Sequence, residues 1–256
     1  MSNGSRVPDI HALRAEHGAD RIHERLSAQP AHSYLRDAVL GGIDGCVTTF
    51  AVVAGSVGAQ FSGTVIVVLG FANLLADGFS MAAGNYLGTK SQQQEIENAR
   101  REENHHIDHV PAGEREEIRQ IFARKGFSGK TLEDIVDGIT SNRELWVNTM
   151  VTEELGLPLE SPSPVRAALA TFGAFVTVGL VPLLPFLVDS LADGSRFRSS
   201  AVLTGLAFFG VGVLKGRALG HSLLRSGLET LLIGGGAASV SYFVGAALRQ
   251  AFGGSV

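Results

Sequence analysis

The chain has 256 residues, 45% of them hydrophobic and 18% charged, with 32 glycines and a formal net charge of −4. A mean hydropathy of +0.20 with charges this unevenly spread points to an integral membrane protein carrying one soluble module rather than to a soluble globule. The slight acidity and the lack of a basic stripe with interleaved aromatics exclude a nucleic-acid binder, and Cys46, the only cysteine, excludes an intrachain disulfide.

Residues 1–33 are polar and rich in histidine, without the basic-then-apolar order of a cleavable signal, so the first span is expected to serve as the insertion signal. Ile10, Leu13, Ile22 and Leu26 fall at helical spacing and predict an amphipathic helix lying on the membrane or on the polar module. His11, His17 and His23, with Glu16, Asp20 and Glu24, offer an accessory metal site as the alternative.

Five apolar segments follow, each long enough to cross the hydrocarbon as a helix: 35–58, 64–87, 167–188, 200–219 and 227–248. They are continuously apolar rather than alternating, which argues against a barrel. The expected fold is therefore all-α. Residues 34–89 hold spans one and two, 90–165 form a helical metal-binding domain, and 166–256 hold spans three to five. A short uncharged turn at 60–63 makes the first two spans a hairpin, and Pro182 and Pro185 predict a break late in the third. Gly84, Gly88, Gly212, Gly216 and Gly220 read as packing glycines. Lys and Arg concentrate on one side, with only Arg196, Arg198 and Arg249 opposite. This places residues 1–33, including Arg6, and the insert in the cytoplasm.

No proline or glycine interrupts residues 89–108, so the second span is expected to continue into water as one helix. Pro111 suits the first turn of the next helix, over 111–125. Thr131-Leu132-Glu133-Asp134 and Ser141-Asn142-Arg143-Glu144 resemble two more helix starts, the second fitting a capping box.

Within the spans, Asp44 and Asp77 are the informative residues, because an ionised carboxylate at the bilayer centre costs about 2.5–3.5 kcal/mol. Asn73, Asp77 and Met81 recur every four residues and share one helix face, so they form a stripe. Gly41 and Gly45, flanking Asp44, permit close backbone approach and could bring Asp44 to that stripe through the hairpin. Carboxylate and amide oxygens with a thioether favour a divalent transition metal over magnesium or calcium.

Outside the membrane, Glu103 and His106 lie one helical turn apart, Glu114 and Glu117 repeat the spacing, and Met150 and Glu154 sit on a later helix. Glu102, His105 and His109 crowd beside them. Three helices offering donor pairs can enclose metal as bundle-core carboxylate sites do.

These residues carry a resemblance. Arg36-Asp37, Gly41-Gly42-Ile43-Asp44-Gly45, Ser80-Met81, Gly84-Asn85-Tyr86-Leu87, Glu154-Leu155-Gly156-Leu157 and Leu180-Val181-Pro182-Leu183-Leu184-Pro185 resemble the vacuolar iron transporter family from about Tyr34 onward. The resemblance implies a homodimer of five-span protomers that exchanges cytosolic Fe2+, often also Mn2+, for protons along a path at the dimer interface. It assigns the path to Asp44 and Met81 and the domain site to Glu103, Glu114, Glu117, Met150 and Glu154. Asn73 stands where a path glutamate is expected and His106 where a domain glutamate is expected. Asp77, one turn from Asn73, is positioned to supply the missing charge. The Asn73/Asp77 arrangement and the histidines of the insert favour a bacterial inner membrane over a vacuole. No permanently bound cofactor is expected; Fe2+, Mn2+, Zn2+ or Co2+ would be cargo. The rival readings are a membrane-anchored ferroxidase-like di-iron protein, a metal-responsive membrane protein without transport, and a passive cation channel.

Overall fold

A computed structural model describes residues 10–27, 33–188 and 193–252; Arg6 and the His11 side chain lie outside the described set. Every regular element among the described residues is helical. Residues 1–33 group apart from residues 34–256. In the first unit the expected single helix is two, α1 (Ile10–Glu16) and α2 (Ala19–Ser27). The break falls at His17 and Gly18, where the His17 backbone N–H and Nδ1 both engage the Leu13 carbonyl and close the first helix.

In the second unit α3 (Leu35–Gly58) and α4 (Gly63–His109) form the expected hairpin. Its turn puts Gln60 in the left-handed region at φ 61°, while Phe61 N–H bonds the Ser56 carbonyl across it. Helix α4 runs unbroken for 47 residues, about 70 Å at 1.5 Å per residue, so the apolar span and its polar continuation are one rod. The third apolar stretch is α8 (Pro164–Gly179) followed by a 3-10 helix (Val181–Leu187), the two bent by 42° at Leu180, just ahead of Pro182 and Pro185, which lie within the 3-10 helix. Ser200 Oγ donates to the Pro182 carbonyl at 2.7 Å and satisfies a backbone acceptor at this break. Helices α9 (Asp193–Ala218) and α10 (Leu223–Phe252) complete the chain. Four helices are long and apolar enough to cross a membrane, and the bent pair makes a fifth if it is one span.

The close partner of the Gly41–Gly45 face is α8, not α4. A Cβ at Gly41 would collide with the Thr171 carbonyl and one at Gly45 with the Phe175 carbonyl. Helices α3 and α10 cross in the same way, Gly55 against Gly245. The core between the spans gathers Cys46, Phe50, Val53, Leu74, Phe175, Leu183 and Phe208. Gly212 and Gly216 do pack, against Ser226 and its neighbours, whereas a Cβ at Gly84 or Gly88 would meet nothing within 4 Å. Gly220, at φ +67°, ends α9 instead of packing.

Between the second and third apolar stretches lie α5 (Pro111–Arg124), α6 (Gly129–Thr140) and α7 (Arg143–Glu153). Pro111 occupies the first turn of α5, as its missing N–H allows. Ile118, Val136, Trp146, Val147, Met150 and Val151 share a small core with Ile107 at the end of α4. Helix α6 starts earlier than Thr131, with Ser128 at its N-cap. The α7 cap is Asn142 rather than Ser141: Asn142 Oδ1 accepts from Leu145 N–H at 3.0 Å, while Ser141 Oγ donates back to Gly138. Asn142→Ala is expected to lower stability by about 1 kcal/mol, measurable as a drop in thermal midpoint.

Candidate metal centre

Helix α4 contributes residues to both constellations, Asn73, Asp77 and Met81 to one and Glu103 and His106 to the other. Its polar end buries Glu103 (3% exposed) and Glu114 of α5 (4% exposed) against each other, with half-exposed His106 alongside. One ligand atom from each of Glu103, His106 and Glu114 lies within 4.8 Å of the other two, and His106 Nδ1 is 3.4 Å from Glu114 Oε1. The Oε2 atoms of both glutamates are buried without a hydrogen-bond partner. Leaving two carboxylate oxygens out of water and unsatisfied is costly unless a proton or a cation compensates them.

The electrostatics say the same. Burial, then the charges of Glu114 and Glu154, pushes the Glu103 carboxyl up to about 7. Glu114 is raised by burial and then by Glu117, and Glu154 by burial and then by Glu117, with His106 opposing in both. A raised carboxyl favours the metal-free fold when protonated, so that contribution is present below pH 4.5 and lost as pH rises through about 7. A metal must displace the same proton. Its apparent affinity is therefore expected to rise about tenfold per pH unit below 7 for each proton released, as titration calorimetry with Mn2+ would measure.

Not every predicted ligand joins the triad. Glu117 and Glu154 are exposed and act on it at the range of their charges, and Glu102, His105 and His109 are exposed as well. Met150 is fully buried within the apolar core of the insert. In the span, Asp44, Asn73, Asp77 and Met81 are each half-buried. Asp44 and Asp77 lie close enough for their charges to interact, Asn73 Nδ2 is buried without a partner, and Met81 rests against the apolar core.

One polar cluster was not anticipated. Asn85 Nδ2 donates to Asp37 Oδ1 at 2.9 Å and to Thr171 Oγ1 at 2.7 Å, while Thr89 Oγ1 donates to Asn85 Oδ1. The cluster ties α3, α4 and α8 together. The signal for it was present: Asn85 and Thr89 continue the four-residue stripe of Asn73, Asp77 and Met81.

The sequence profile of the VIT family matches residues 35–246, which span both constellations. The chain belongs to the VIT family. Among its relatives is a vacuolar iron transporter of Toxoplasma gondii, 32% identical over 260 residues that cover 96% of this chain and 86% of the relative. Vacuolar iron transporter 1 of Oryza sativa subsp. japonica is 34% identical over 252 residues, covering 97% of this chain and 98% of the relative. Vacuolar iron transporter 1 of Arabidopsis thaliana is 33% identical over 215 residues, covering 83% and 85%. This VIT-family chain is thus akin to transporters, not to enzymes, and the ferroxidase reading falls away.

Proposed function

We propose that this VIT-family protein moves divalent transition metal, Fe2+ and secondarily Mn2+, out of the cytosol in exchange for protons. The observation that carries the reading is the pairing of two sites on one helix. A buried acid–imidazole triad lies 26 residues, about 40 Å, along α4 from an intramembrane carboxylate that faces a second one on α3. The relatives' names supply iron as the cargo.

In this reading residues 1–33 and the insert lie on the cytosolic side, as the Lys and Arg distribution favours. Glu103, His106 and Glu114 capture the ion, with exposed Glu117 and Glu154 drawn inward by the metal and buried Met150 completing the site from the core side. The ion then passes Met81, Asp77, Asn73 and Asp44. A half-buried carboxylate in a span would face lipid unless covered, so a second copy of the chain closes the path and the working unit is a homodimer. As the metal leaves, Asp44 or Asp77 takes up a proton, which avoids a bare charge in hydrocarbon and couples the two flows. The membrane crossed bounds the cytosol; the relatives' names favour an endomembrane, and the Asn73/Asp77 arrangement with the histidines of the insert favours a bacterial inner membrane.

The test is uptake by proteoliposomes of Fe2+, Mn2+, Co2+ and Zn2+ with and without an imposed pH gradient. Uptake that accelerates with an opposing proton gradient supports exchange. Flux indifferent to the gradient would instead indicate a channel, and no flux would leave a metal-binding membrane protein.

A further inference from the structure

We propose that His105 and His109 form a second divalent-metal site on the outer face of α4, distinct from the buried triad and selective for late first-row ions such as Ni2+ and Zn2+. The two residues are four apart on one helix face, both exposed, with ring centroids 4.1 Å apart and ring planes inclined by 38°. Two histidines at this spacing on a helix can share one zinc ion.

The hydrogen bonding fits ligation. His109 Nδ1 lies 2.8 Å from the His105 carbonyl. A nitrogen bonded to a carbonyl carries the hydrogen, so Nε2 keeps its lone pair for a metal, the arrangement that fixes tautomer and ring orientation in histidine ligands. The pair sits at the C-terminal end of a 47-residue helix, with His109 in its last turn, where the free carbonyls that follow leave partial negative charge and favour a cation. Asp108, between the two histidines in sequence, places a carboxylate within electrostatic range of both rings while Arg143 holds it at 2.7 Å. Capping of the helix end alone would need only His109 Nδ1; it does not call for a second imidazole tilted beside the first.

The donor chemistry separates this pair from the triad. Glu103 and Glu114 offer carboxylate oxygens in a buried setting, suited to Fe2+ and Mn2+. The outer pair offers imidazole nitrogen, which suits nickel, copper and zinc and holds Mn2+, the weakest binder of the first-row series, poorly. The rings of His105 and His106 lie 6.4 Å apart, so an ion released from the outer pair starts next to the triad. That relay role rests on the transport reading above; the binding site does not.

Titration calorimetry of the full-length protein in detergent tests it, with NiCl2 and MnCl2 as probes on wild type, on His105→Ala with His109→Ala, and on Glu103→Gln with Glu114→Gln. The histidine variant is expected to lose a Ni2+ site and keep the Mn2+ site, and the glutamine variant to show the reverse. Full Ni2+ stoichiometry in the histidine variant overturns the proposal. Loss of Mn2+ binding in that variant also overturns it, because the two sites would then be one. The transport reading fails separately, on proteoliposome flux, and neither result decides the other.

Discussion

Asp44→Ala is expected to bring Fe2+ uptake into proteoliposomes down roughly 100-fold, about 2.7 kcal/mol on the barrier, because the variant removes a carboxylate that would hold the doubly charged ion within the span. The helix itself should survive: Asp44 is half-buried, and no side-chain hydrogen bond to its carboxylate is found among the described residues. Retained monodispersity in detergent alongside lost uptake would therefore separate a transport role from a folding role. Asp77→Asn supplies the companion measurement. If Asp77 stands in for the charge that Asn73 lacks, this variant loses the acceleration by a proton gradient while keeping residual downhill flux. Wild-type rates for Asp44→Ala would sink the proposed path.

Gly45→Val is expected to prevent the transmembrane unit from assembling. A Cβ at this position runs into the Phe175 carbonyl, and Gly179 of α8 sits with its own Cβ direction 2.7 Å from the Gly45 carbonyl. Backbone meets backbone from both sides, so no rotamer can relieve the collision. The cost should exceed the about 1–3 kcal/mol usual for an overpacked core, where side chains can yield. Size-exclusion profiles of the solubilised protein would report it as aggregation or loss of the folded peak. Gly84→Val is the control: nothing lies within 4 Å of a Cβ there in the protomer, so the variant should fold. If Gly84→Val folds yet abolishes dimer formation, α4 provides the interface that the proposed path requires.

Much of the architecture was legible because it depends on local pattern. Span positions follow from uninterrupted apolar length. The continuation of α4 beyond the span follows from the lack of a breaker before Pro111, and the bend near Pro182 follows from missing backbone donors. The Glu103–His106 face could likewise be read from spacing, since one turn of helix aligns them. Capping was less legible. Ser141 and Asn142 are both competent caps, and the choice depends on where the preceding helix ends.

By itself, then, the sequence determined that this chain is helical, that it spans a membrane and that acids sit within the spans, because composition and periodicity act within single segments. Tertiary structure alone decided that the Gly41–Gly45 face meets α8, that Asn85 joins Asp37 and Thr171, and that Glu114 comes within reach of the pair begun by Glu103 and His106. Apolar helices of similar length offer one another nearly equivalent surfaces. Which two meet is settled by where a missing side chain lets backbones touch and where a buried polar group finds its partner, and those conditions exist only once all the helices are in place.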